Sequence, residues 1–238
     1  MLSLNNLAYA YGKVGNYKTQ FELNEKCYEL RKKILGEEHP DALTSLNNLA
    51  ATYEKVGDKQ SELKARKKLY ELRVKVLGEE HTDTLTSLSN LVITYKEAGD
   101  KQNELIYREK LYELQAKVLG EEHPNTLTSL NNLALTYGDV GNCEKQLELA
   151  EKCYELRKKI LGEEHSGTIV SMSNLGYSYG ALGDHEKEVE LRQRAYDLRK
   201  KLLGEDDPKT VKALNKLNEA KAKLNSSVEN TAPKSSLD

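Results

Sequence analysis

The chain has 238 residues, and its 36 basic and 38 acidic side chains leave a formal net charge of −2. That balance argues against nucleic-acid or membrane-surface binding by bulk electrostatics, and no apolar run approaches the ~20 residues that cross a bilayer. The start, MLSLNNLAYAYGKVG, lacks the basic stretch and continuous apolar segment of a secretion signal, and Cys27, Cys143 and Cys153 form no CxxC and no even-numbered framework; a reducing, cytoplasmic setting is expected.

The stretch CYELRKKILGEEH stands at 27–39 and, unchanged, at 153–165. LGEEH begins at Leu35, Leu77, Leu119 and Leu161, and a degraded LGEDD begins at Leu203, so every step is 42 residues. A fixed period of this size marks a tandem array of small units. The period predicts an all-α fold, a right-handed α-solenoid of helix hairpins at 1–35, 36–77, 78–119, 120–161 and 162–203. A terminal capping helix is expected over 208–224, and residues 225–238 have the composition of a disordered tail.

At the N-terminal end the chain begins inside a first helix and presents Leu2, Leu4 and Leu7 with no polar cap before them. Either the sequence is a piece of a longer array, or this end self-associates with another copy. In the second copy, Leu46, Leu49, Ala50 and Tyr53 follow the i, i+3, i+4, i+7 spacing of one apolar helix stripe. Gly57-Asp58 breaks that helix, as Gly15-Asn16, Gly99-Asp100, Gly141-Asn142 and Gly183-Asp184 do in the others. The second helix carries Leu63, Leu69, Tyr70, Leu72, Val76 and Leu77 and stops at Gly78; its 19 or so residues span about 28 Å. The tyrosines at the Tyr53 and Tyr70 positions read as packing residues with wet hydroxyls. Cys27 and Cys153 share a position with Leu69, Leu111 and Ala195 and read as core.

Asp207 occupies the slot of His39, which points to an N-cap there or beside it. Pro40 and Pro208 suit a first helical turn. Glu37 and Glu38 precede a helix start and Arg31, Lys32 and Lys33 a helix end, so both complement the helix dipole.

LNNLA, then Tyr, Gly-Asp and a second amphipathic helix resemble the tetratricopeptide repeat, and the 42-residue step with its LG-x-x-HP linker is similar to the repeats of kinesin light chains. The resemblance covers residues 1 to about 224 and implies a concave face, formed by the first helices, that holds a peptide or partner helix of another protein. The second helices depart from the family. Gln20, Glu62, Glu104, Gln146 and Glu188 stand where a small Ala is usual, and Asn24, Arg66, Arg108, Ala150 and Arg192 where an apolar residue is usual. Glu62/Arg66, Glu104/Arg108 and Glu188/Arg192 form i, i+4 pairs, either desolvated at the seam between helices or solvated on the surface.

With the Leu46 stripe turned inward, the opposite face carries Thr44, Asn48, Ala51 and Lys55. The candidate peptide-binding residues are therefore Asn6, Asn48, Asn90, Asn132 and Asn174; their neighbours Asn5, Asn47 and Asn131; and Thr44, Thr86, Thr128, Tyr9, Lys13, Lys55 and Tyr177. Ile93 and Leu135 vary the same face. An amide both donates and accepts, so it can grip a peptide backbone whatever its side chains; the other reading is that these amides bond adjacent helices. Chaperone-binding relatives clamp a terminal carboxylate with basic groove residues, and the five first helices lack these at the matching positions.

His39, His81, His123 and His165 each stand beside two glutamates, but helices of neighbouring copies pack about 10 Å apart, too far for two copies to share one metal ion. No nucleotide-binding, zincin or serine-hydrolase motif occurs, and no cofactor is expected. The Arg31-Lys32-Lys33 cluster is followed by Glu-Glu, which cancels its field, so no nucleic acid is expected as partner. The leading reading is a non-catalytic scaffold that binds a protein or peptide; the alternatives are a self-assembling module stacking end to end and the sensor piece of a larger signalling protein.

Overall fold

The computed structural model describes residues 2–231, with side chains for 4–227. The described residues form eleven α-helices and no strand: α1 Leu2–Lys13, α2 Tyr17–Leu35, α3 Pro40–Val56, α4 Lys59–Leu77, α5 Thr82–Ala98, α6 Lys101–Leu119, α7 Pro124–Asp139, α8 Cys143–Leu161, α9 Ser166–Ala181, α10 His185–Leu203 and α11 Pro208–Thr231. The chain divides into two compact units between residues 118 and 119. In the first, α1 to α5 each pack on the next helix in sequence; in the second, α7 to α11 do the same, and the first helices α7 and α9 also touch.

One dipeptide makes each tight turn. Gly57, at φ 79° and ψ 12°, is left-handed, and Asp58 N–H donates back to Tyr53 O at 3.0 Å while Gly57 N–H donates to Glu54 O at 3.3 Å. This pairing is the Schellman closure of α3. Asp58 then caps α4, its Oδ1 accepting from Ser61 N–H at 3.0 Å. Asn16, Asp100, Asn142 and Asp184 accept in the same way from Thr19, Asn103, Lys145 and Lys187. At the longer linker the glycine adopts a different backbone: Gly78 lies at φ 87° and ψ 163°, a region open essentially to glycine alone. His81 caps the next helix, with Nδ1 accepting from Asp83 N–H at 3.1 Å. His39, His123 and His165 do likewise toward Asp41, Asn125 and Gly167, and Asp207 toward Lys209. The recurring histidines are helix caps.

The Leu46 stripe is inside, as are its equivalents Leu88, Leu130 and Met172. Tyr28, Leu43, Leu46, Leu49, Ala50, Ala65 and Leu69 form one cluster, and Tyr70, Leu88, Leu91, Val92, Tyr95 and Leu111 the next. Each cluster draws on the second helix of one copy and the first helix of the following one. Cys27 and Cys153 are core residues, and burial pushes the Cys153 thiol up. Val76 and Leu77 are more than a third exposed, unlike the rest of the second-helix stripe. The second helix runs 19 residues against 17 for the first, so its last turn extends beyond its partner.

Two sets of polar ties are also made across and from the linkers. Arg31 Nη1 donates to Asp41 O at 3.1 Å and Ser45 Oγ at 2.8 Å, and Arg157 Nη1 to Gly167 O at 3.0 Å and Ser171 Oγ at 2.9 Å. Arg73 binds Asp83 O and Ser87 Oγ in the same manner. On the loop edge, Lys110 pairs with Glu79 at 2.7 Å and Lys117 with Glu80 at 2.5 Å, and Lys152 and Lys159 pair with Glu121 and Glu122 at 2.8 and 2.9 Å. The paired glutamates of one linker are thus gripped by the second helix that follows the linker. That role goes beyond complementing the dipole of their own helix. These pairs are exposed and contribute at most about 1 kcal/mol each.

The terminal helix differs from its expected span. It continues to Thr231, through the first seven residues of the expected tail. Ser226 Oγ donates to Ala222 O at 3.0 Å and Ser227 Oγ to Leu224 O at 2.7 Å, so both hydroxyls are absorbed by the helix backbone, and no glycine or proline intervenes before Pro233. Residues 232–238 of that tail lie outside the described residues. At the other end Leu4 is half-buried and Leu7 exposed; the Leu2 side chain lies outside the described ones.

The tyrosines pack, but several hydroxyls meet carboxylates and are not simply wet. Tyr28 donates to Glu37 at 2.9 Å and Tyr179 to Glu151 at 2.6 Å. The bond to Glu151, then burial, pushes the Tyr179 phenol up to about 12. Burial beside the stacked Tyr107 ring, 5.2 Å away, raises Tyr95 to about 12.

Two outcomes follow for stability. Replacing His81 by Ala should cost about 1 kcal/mol in urea unfolding, whereas Asp, the residue found at 207, should preserve the cap and the midpoint. A free phenol titrates near 10, so the stability due to Tyr95 and Tyr179 is complete below about pH 10 and is lost as pH rises from there to about 12. Unfolding free energy measured against pH should fall across that window, and less steeply in Y179F.

Candidate binding faces of the first helices

In the first unit, α1, α3 and α5 carry the candidate residues in equivalent slots. Thr44 and Thr86 are exposed, but their hydroxyls donate one turn back to Pro40 O and Thr82 O at 3.0 and 2.9 Å, so each offers a methyl group and an acceptor outward. Asn6 is exposed and Asn48 and Asn90 are half-buried, and among the described residues no protein group bonds these three side-chain amides. Their setting is fixed by the next turn: Thr52 and Thr94 hydroxyls bond the backbone oxygens of Asn48 and Asn90 at 2.7 and 3.1 Å. Tyr9, Ile93, Lys13 and Lys55 are exposed beside them, and Ala51 is half-buried.

The neighbouring amides are occupied. Asn47 Oδ1 accepts from Arg66 Nη1 at 3.2 Å, and the Asn5 oxygen lies 3.1 Å from Cys27 Sγ, or with the amide turned over accepts from Arg31 at 3.1 Å. In the second unit, Asn131 Oδ1 accepts from Asn174 Nδ2 at 2.8 Å, a bond between consecutive copies. Asn132 keeps a half-buried amide with no protein partner among the described residues, and Thr128, Leu135 and Tyr177 stand on the same faces.

Behind these faces lie the residues that depart from the family. Glu62 and Glu104 are 3% and 5% exposed, their partners Arg66 and Arg108 8%, and Glu188 1%, so the pairs sit at the seam and not on the surface. Arg108 Nε reaches Glu104 at 2.8 Å and Arg192 Nε reaches Glu188 at 2.9 Å; Arg66 stands farther from Glu62, at 3.7 Å, and turns to Asn47. Thr94 Oγ1 donates to Glu62 at 3.1 Å across to the next copy. Three of these large side chains fit where the first helix gives way: a Cβ at Gly12, Gly138 or Gly180 would collide with Gln20, Gln146 or Glu188. The size exchange is between facing helices.

The second unit also contains a cavity of about 720 Å³ between α9, α10 and α11. Val170, Ser173, Asn174 and Tyr177 of α9 form one wall, Arg192 and Arg199 of α10 another, and Lys209, Lys212, Lys216 and Lys223 of α11 a third. Sequence reasoning treated α11 only as a cap. Counting on by 42 from Val170 and Asn174 gives Lys212 and Lys216, so the same candidate face was legible one step further on.

Helix hairpins repeated every 42 residues, packed on their neighbours within each unit, define a helical-hairpin repeat protein, a class whose members generally act as protein-interaction scaffolds. The chain belongs to the tetratricopeptide repeat family: one tetratricopeptide repeat model matches residues 1–73, 105–159 and 139–201, and another matches 84–125. No curated protein matches the sequence significantly. Among solved structures, the chain is similar to a candidate kinesin light chain of Podosopora anserina with nearly identical TPR-like repeats, at 29% identity over 84% of this chain and 95% of that one, with a TM-score of 0.74. It shares the fold of BtubC (BKLC) from P. vanneervenii, at 19% identity, 88% and 84% coverage and a TM-score of 0.68. It also shares that of MamA from Desulfovibrio magneticus RS-1, at 14%, 83% and 94%, and 0.58.

A buried pair is costly to break and cheap to remove whole. Arg66→Met should therefore cost about 3 kcal/mol, and Glu62→Gln with Arg66→Met clearly less, measured by urea unfolding. Equal, small losses would place the pair energetically at the surface.

Proposed function

We propose that this chain is a non-catalytic protein-interaction scaffold whose first-helix faces bind an extended peptide segment of a partner protein. The observation that carries the reading is the division of labour between adjacent amides. Asn5, Asn47 and Asn131 are spent on other parts of the fold, while Asn48, Asn90 and Asn132 keep amides without a protein partner among the described residues. A half-buried amide with no internal partner is ready to bond a peptide N–H and C=O together. Exposed Tyr9, Ile93 and Tyr177 on the same faces supply apolar contact, and Thr44, Thr86, Thr128, Lys13 and Lys55 border it. The free cysteines fit a cytoplasmic setting, and no described helix is long and apolar enough to cross a membrane.

Screening a random peptide array with the whole chain should yield binders whose affinity falls at least tenfold when Asn48, Asn90 and Asn132 are changed together to Ala, with the unfolding midpoint unchanged. An array that returns no binders, or binders indifferent to the triple substitution, would remove the reading.

A further inference from the structure

Four of the five copies carry arginine at one slot, the third having Gln115, and the last of these arginines has lost its partner. Arg31, Arg73 and Arg157 each bond a serine hydroxyl and a backbone carbonyl at the start of the following first helix. Arg199 is the same slot in α10, but the serine of Ser45, Ser87 and Ser171 is replaced by Ala213 in α11. The Arg199 guanidinium makes no hydrogen bond or ion pair with any described residue, although the side chain is only partly exposed. Burial alone holds it below its ordinary value, whereas the charge of Asp83 offsets burial at Arg73. It lines the 720 Å³ cavity instead.

The other charged residues of the lining are basic except Glu219. Arg192 and Lys223 share Glu188, and Lys216 pairs with Glu219 at 2.8 Å. Lys209 and Lys212, like Arg199, have no acidic partner among the described residues. In each of α4, α6, α8 and α10 two basic side chains pair with the glutamates of the preceding linker, whereas here the basic residues outnumber the one acidic residue of the lining. Ile169, Val170, Tyr177, Leu202 and Leu203 supply the apolar part of the wall. Cavities of this size enclose ligands whose fixed polar groups give orientation and whose apolar walls give area.

We propose that this cavity is an anion-recognising subsite that takes carboxylate side chains of an acidic, partly apolar peptide, with Arg199 as the fixed donor and Lys209 and Lys212 at its rim. The subsite rests on the scaffold reading above and assigns its ligand class at one end of the chain. A carboxylate entering here gains a bidentate guanidinium pair, in place of the Ser and carbonyl that Arg31, Arg73 and Arg157 bond. A nucleic-acid strand fits less well, because Arg199, Lys209 and Lys212 border one largely apolar pocket and do not form a track for a backbone.

The test uses the whole chain and a fluorescent twelve-residue peptide alternating glutamate and leucine, with a counterpart in which every glutamate is glutamine. The acidic peptide should bind at least tenfold more tightly than its counterpart, with affinity falling as salt is added. Arg199→Ala and Lys212→Gln should each weaken it tenfold or more without moving the unfolding midpoint, while Arg157→Ala, which loses real bonds, should lower the midpoint. Ala213→Ser restores an internal partner for Arg199 and should raise the midpoint and weaken the peptide together. Equal affinity for the two peptides, full binding by Arg199→Ala, or tighter binding of a twelve-nucleotide single strand overturns the subsite. Array binders that depend on Asn48, Asn90 and Asn132 would leave the scaffold reading standing in that event.

Discussion

A hairpin of two amphipathic helices cannot hide its apolar surface by itself, and this constraint organises the molecule. Tyr28 belongs to the second helix of one copy, yet it is buried with Leu43 and Leu46 of the next, as Tyr70 is with Leu88 and Leu91. Within a unit the core is therefore a series of shared seams, each completed by its neighbour. Burial at the seams fixes which side of every first helix turns inward, and so which residues are left to face a ligand.

Most of the charged groups that enter these seams are answered, although some neutral polar atoms, such as the Gln146 amide, are not. The arginines of the clasp slot reach a serine and a carbonyl, the seam glutamates reach an arginine or a threonine, and bulky Gln146 and Glu188 lie against glycine. Because a buried charge without a partner is costly, a member that departs from the pattern stands out against its own siblings. Repetition thus supplies an internal control that a single globular core lacks. Arg199 is conspicuous for that reason.

Much of this was legible in the sequence. The 42-residue step and the glycines set the helix ends, because backbone conformations closed to other residues leave little freedom of position. The inward stripe followed from helical spacing, and Asp207 in a histidine slot pointed to the cap. The destinations of side chains were harder. Nothing local says that Glu37 and Glu38 belong to lysines some thirty residues on, that Asn47 is taken by Arg66 while Asn48 is not, or that the pair at 62 and 66 is desolvated. These depend on which long side chain reaches which neighbour across a seam. The terminal helix was misjudged at its end because Ser226 and Ser227 look like loop residues, although their hydroxyls can fold back onto a helix. The cavity was missed because α11 was read as a lid and not as one more first helix.

The ties made across and from the linkers run at constant offsets along the chain: from Arg31 to Ser45 as from Arg157 to Ser171, and from Glu79 to Lys110 as from Glu121 to Lys152. Excising or duplicating one whole copy leaves every such offset intact, whereas adding or losing any other number of residues would misalign all ties across the junction. The architecture is therefore editable in steps of 42 residues and resistant to finer change. Recombination between near-identical copies, such as those sharing the segments at 27–39 and 153–165, would change the length of the array without requiring a new core.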